Sequence, residues 1–94
     1  MTYSELAKTF EMLAAHRPDG FVRDWVSHEQ WGIDLSNFEL SPSEIRMLAE
    51  MGWCIGSDAE YDEEEMGEWY EPKTASDEKL VEIFNEHKSI YQYT

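Results

Sequence analysis

LSPSEIRMLAEMGW, residues 40–53, contains a helix whose two ends are both written into the sequence. Ser41 and Glu44 have the S-x-x-E spacing of a capping box, in which the Ser41 hydroxyl accepts from the Glu44 N–H while the Glu44 carboxylate accepts from the Ser41 N–H. Pro42 takes the first helical position, where a missing N–H costs nothing. Leu40 ahead of the cap can pack on Ile45. Gly52 supplies the left-handed residue that stops the helix and turns Trp53 back onto Leu48. The stretch predicts a helix of about two and a half turns that delivers a tryptophan to the core. It carries no chemistry of its own.

Upstream, Trp31, Ile33 and Leu35 alternate with Gly32 and Asp34, the period of a half-buried strand, and Ser36-Asn37 turns the chain toward the helix. His28-Glu29 at the strand's entry reads as a polar pair at a sheet edge rather than an acid–base pair, because no third group stands near it in sequence. Residues 21–26 are apolar around Arg23 and Asp24, with a period that fits a strand and a short helix equally. Thr2 and Glu5 form a second capping box, and Tyr3, Leu6, Ala7, Phe10, Leu13 and Ala14 fall on one face of the helix it opens. His16 and Arg17 end that helix as cations favourable to its macrodipole, so His16 reads as a helix-end charge rather than a ligand. Pro18-Asp19-Gly20 stops it.

Downstream, Trp53-Cys54-Ile55 is short and apolar enough for a strand. Trp69-Tyr70 resembles its return partner across an exposed acidic loop at residues 57–68. Thr74-Ala75-Ser76-Asp77 opens the last helix, with Leu80, Ile83, Phe84 and His87 on its apolar arc and Glu78, Glu82 and Glu86 opposite. Residues 90–94 alternate weakly and either add a strand or fray. The whole predicts a single α+β domain spanning residues 1–94. Its helices pack on one face of a small antiparallel sheet, in the order α-β-α-β-β-α with a possible C-terminal strand.

Ninety-four residues with four Trp, five Tyr and four Phe suffice for one core without staples. The lone Cys54 forms no internal disulfide, no apolar run is long enough to span a bilayer, and the N-terminal stretch reads as an amphipathic helix rather than a signal peptide. A soluble, cytoplasmic protein with no membrane partner is expected.

Net charge is the outlier, at −14. Averaged over the surface expected from the chain's mass this is about one charge per 400 Å², several times more dilute than duplex DNA. Its distribution is far from even. Asp58, Glu60, Asp62, Glu63, Glu64, Glu65, Glu68 and Glu71 place eight acids and no base in fourteen residues. If that segment covers a quarter of the surface, the local density rises to about one charge per 180 Å², within a factor of two of the nucleic acid.

Specific chemistry does not emerge from these acids. Asp58, Glu60 and Asp62 match the first ligand positions of a calcium-binding EF-hand, but Glu63 stands where that loop needs Gly and Trp69 where it needs a bidentate Glu. There is no HExxH, no Gly-rich phosphate cradle and no G-x-S-x-G, and Cys54 lies among apolar residues where no activated thiolate is expected. The expectation is therefore no enzyme, no catalytic residue, no metal and no cofactor. Seven scattered bases also supply no cationic footprint for direct nucleic-acid binding.

The succession L-S-P-S-E-I-x-x-L-x-x-x-G-W, preceded by a strand opening S-H-E and followed by acids and W-Y, resembles small proteins carried by bacteriophages and mobile elements over residues 27–70. Phage-borne acidic proteins of this size include the anti-CRISPR proteins and other inhibitors of host defence, several of which act as DNA mimics. That resemblance implies a basic nucleic-acid-binding host protein as partner, a CRISPR effector foremost. It carries over no functional residue. The acidic run, helped by Glu78, Glu82 and Glu86, would then occupy the partner's cationic groove through counterion release. The alternative is a general interaction module anchored by exposed aromatics such as Trp25, Trp69 or Tyr91, with charge serving solubility and on-rate. Solvent adaptation, as in halophiles, is a third reading, and the clustering of the acids counts against it.

Overall fold

The structure is a computed structural model that describes residues 1–27, 30–56 and 72–93. Its central helix forms as the local signals dictate. The Glu44 N–H donates to Ser41 Oγ at 3.3 Å and the Ser41 N–H donates to Glu44 Oε1 at 2.9 Å, closing both halves of the box. The helix spans Pro42–Glu50 and ends in a Schellman motif: Gly52 lies at φ 107°, its N–H donates to the Ala49 carbonyl, and the Trp53 N–H donates to that of Leu48. Trp53 and Leu48 are both fully buried, so the helix end and the core are fixed by the same residues.

The N-terminal helix α1 covers Tyr3–His16 and opens on its own complete capping box between Thr2 and Glu5. Its buried stripe is rotated from the one the apolar spacing suggested. Thr9 and Leu13 are buried with Leu6, Phe10 and Met12 partly so, whereas Tyr3 is 93 % exposed and Ala7 and Ala14 face solvent. The cause is Trp53, whose indole N–H donates to Thr9 Oγ1 at 2.9 Å and draws that polar residue into the core. Thr9 in turn donates to the Glu5 carbonyl at 2.9 Å.

After α1 come β1 at Asp24–Ser27 and β2 at Gln30–Asp34, then the central helix α2, β3 at Cys54–Ile55, α3 at Asp77–His87 and β4 at Ser89–Tyr93. The ambiguous apolar segment is thus partly resolved as a strand, paired antiparallel with β2. All neighbours in the sheet are antiparallel, and their order is β1-β2-β4-β3. The C-terminal strand, expected only as an option, lies inside the sheet between β2 and β3. Among the described residues β4 is the partner of β3, and the return strand expected at Trp69 and Tyr70 lies outside them.

The fold is α+β, with the three helices of the described residues on one sheet face. Ile33, Ile90 and Ile55 stand in register across three strands on that face, and Leu13, Ile45, Leu48, Trp53, Leu80, Ile83 and Phe84 close over them. On the other face Gly32 makes room for the indole of Trp25, because a Cβ there would fall 2.2 Å from the ring. Tyr91 packs beside Trp25 and Tyr93 stands edge-on to Tyr91. No helix among the described residues is long and apolar enough to cross a membrane.

Candidate functional site

Burying Leu80, Ile83 and Phe84 turns the opposite face of α3 to solvent, and that face carries Glu78, Glu82 and Glu86, all exposed. At four-residue intervals they form a line with a spacing of about 6 Å along the helix axis. These three are the sequence-derived candidates that the structure brings together. The other eight, Asp58, Glu60, Asp62, Glu63, Glu64, Glu65, Glu68 and Glu71, lie outside the described residues, as do the His28-Glu29 pair and the EF-hand-like positions.

The N-terminus of α3 is held firmly. Ser76 caps it, accepting from the Lys79 N–H at 3.2 Å. Arg46, projecting from α2, donates from Nε to Asp77 Oδ1 at 2.6 Å, from Nη1 to the Lys73 carbonyl at 3.2 Å and from Nη2 to the Ala75 carbonyl. One planar guanidinium therefore fastens the first turn of α3 and the turn leading into it. Nothing in the sequence pattern revealed this staple, since it joins residues about thirty positions apart.

Other bases are also used structurally. Arg17 donates to the Asn37 carbonyl at 3.3 Å. Lys88 donates to the Phe38 carbonyl at 3.4 Å with its Nζ 4.9 Å from the centre of the Phe84 ring. A carbonyl acceptor consumes a cation's donors without neutralising any carboxylate. Among the described residues the ion pairs are Arg46–Asp77 and His16–Glu44, and neither involves the line on α3.

His16, read as a helix-end cation, lies 2.6 Å from Glu44 and so links the end of α1 to the capping box of α2. The Glu44 carboxyl is held below its ordinary value, first by the Ser41 N–H and then by His16. Asp34 is lowered by the Ser36 hydroxyl, and Glu5 by the Thr2 N–H. Each of these shifts belongs to a cap or turn rather than to a catalytic pair.

Of the aromatic anchors considered, Tyr91 is 4 % exposed and so unsuited to first contact, Trp25 is half-buried over Gly32, and Trp69 lies outside the described residues. The structure offers another in Phe21, 94 % exposed. It sits at the rim of a cleft of about 450 Å³ between α1, the 18–23 connection and the turn after β2, floored by Phe10, Leu13, Leu35 and Phe38. An apolar pair, Phe21-Val22, directly after a Pro-Asp-Gly turn was the available signal for it. Compared with protein-family models, curated proteins and solved structures, the chain matches none.

Proposed function

We propose that this protein is an acidic inhibitor that occupies the cationic groove of a nucleic-acid-handling host protein, with a CRISPR effector as the foremost target class. The observation that carries the reading is the exposed line Glu78, Glu82 and Glu86 on a helix whose start is pinned by Arg46. In sequence it follows closely on the base-free acidic run of residues 58–71. Carboxylates about 6 Å apart on a rigid rod present a charge spacing of the order of successive phosphates, and little ordering entropy is lost on docking. Binding would draw on release of counterions from the partner's Lys and Arg, the term that drives DNA binding itself. Such a target places the action in the host cytoplasm, with no step of chemistry on the protein's own part.

Competition against labelled duplex DNA for a guide-loaded CRISPR effector tests the reading. Reversal of Glu78, Glu82 and Glu86 to Lys, and separately of Glu63, Glu64 and Glu65, should each weaken competition at least about tenfold with the circular-dichroism spectrum unchanged. Inhibition should also fall steeply between about 50 and 200 mM salt. Competition that ignores both charge reversal and salt would remove the basis for the proposal.

A further inference from the structure

We infer that the patch around Phe21 is the interface of a symmetric dimer, in which each copy's Phe21 seats in the other's cleft. Phe21 at 94 % exposure and Val22 at 60 % project from the chain ahead of β1, and Val26 at 73 % continues the apolar surface along it. A protruding aromatic and a cleft with an apolar floor and a rim of mixed charge lie side by side on one patch, and a surface with both is complementary to itself, the requirement of a two-fold interface. Size is adequate: an apolar cavity of about 150 Å³ already accepts a benzene ring, and this one is about 450 Å³.

Electrostatics favour a second copy here and oppose it elsewhere. Residues 17–24 hold Arg17, Asp19, Arg23 and Asp24, two of each sign, in a chain whose total is −14. β1 is also an edge of the described sheet, at the far side from β3, against which α3 packs. Three strand spacings of about 4.8 Å separate the two edges. A dimer joined through β1 and Phe21 therefore keeps both lines of glutamates outermost, where like charges are farthest apart. The outer edge of β1, unpaired among the described residues, adds strand surface to the same contact.

Sedimentation equilibrium on the full chain tests this without any other partner. The mass should move from 11.1 kDa toward twice that value with concentration, and the dimer should tighten with added salt as net repulsion is screened. Phe21→Ser, at a side chain almost wholly exposed, should raise the dissociation constant by about tenfold or more, and Phe21→Trp should restore association. A chain that stays monomeric to millimolar concentration at physiological salt overturns the inference, as does a dimer indifferent to Phe21→Ser. A monomer whose cleft takes up an apolar fluorescent dye would likewise overturn it, assigning the cleft to a small ligand. The salt responses run in opposite directions for self-association and for groove competition, so failure of one is distinguishable from failure of the other.

Discussion

Thr9 shows how one residue decides which side of a helix is inside. Its hydroxyl accepts from the Trp53 indole and donates to the Glu5 carbonyl, so both of its hydrogen-bonding roles are filled within the core. Thr9→Val removes that acceptor at little change in volume and leaves a buried indole N–H unsatisfied. A loss of about 1–3 kcal/mol in denaturant unfolding is expected. Ser89 is the converse case, a buried hydroxyl without a hydrogen-bond partner among the described residues. Ser89→Ala should cost nothing and raise stability by up to about 1 kcal/mol, read in the same assay. At Gly32 the close approach of Trp25 leaves no space for a methyl group. Gly32→Ala should displace the half-buried indole, seen as a changed near-ultraviolet circular-dichroism band and a loss of about 1–3 kcal/mol.

Elements were legible in the sequence to the extent that their signals were local. The capping boxes at Thr2 and Ser41, the Ser76 cap and the left-handed Gly52 all depend on residues within a few positions of one another, and each is realised. β4 was harder to read because α3 passes into it through Lys88, a left-handed residue at φ 51° without the glycine that usually marks such an ending. Its central place in the sheet depends on pairing with β2 and β3, which are distant in sequence, and no short window contains that information. Ile90, fully buried between Ile33 and Ile55, is the measure of that role. Ile90→Ala should cost about 2–5 kcal/mol and reduce amide protection in β2 and β3 together. The line of acids on α3 was visible from helical period alone, whereas the Arg46 staple and the cleft beside Phe21 required tertiary structure.

For the molecule as a whole, stability at neutral pH is set by apolar burial working against self-repulsion at a net charge of −14. Lowering the pH toward the isoelectric point near 4.3 relieves that repulsion. The carboxyls of Glu5, Asp34 and Glu44 act in the opposite sense. Their folded values lie below the ordinary 4.5, 3.8 and 4.5, so their contribution is complete above those values and is lost as pH falls through the lower folded ones. Urea midpoints should therefore rise between neutrality and about pH 5, then fall below about pH 4. Glu44→Gln should flatten the acid limb, since Gln retains part of the capping box but does not titrate.

The placement of β4 also has a consequence for biosynthesis. Among the described residues β2 and β3 are joined in the sheet through Ser89–Tyr93, so a nascent chain still lacking that segment on the ribosome carries β3 with no described strand to pair with and leaves Ile33 and Ile55 uncovered at their shared neighbour. Sheet closure therefore waits for the synthesis of Ser89–Tyr93. Fragments released before that segment is made would be open substrates for cellular proteases, so quality control would favour chains that contain it.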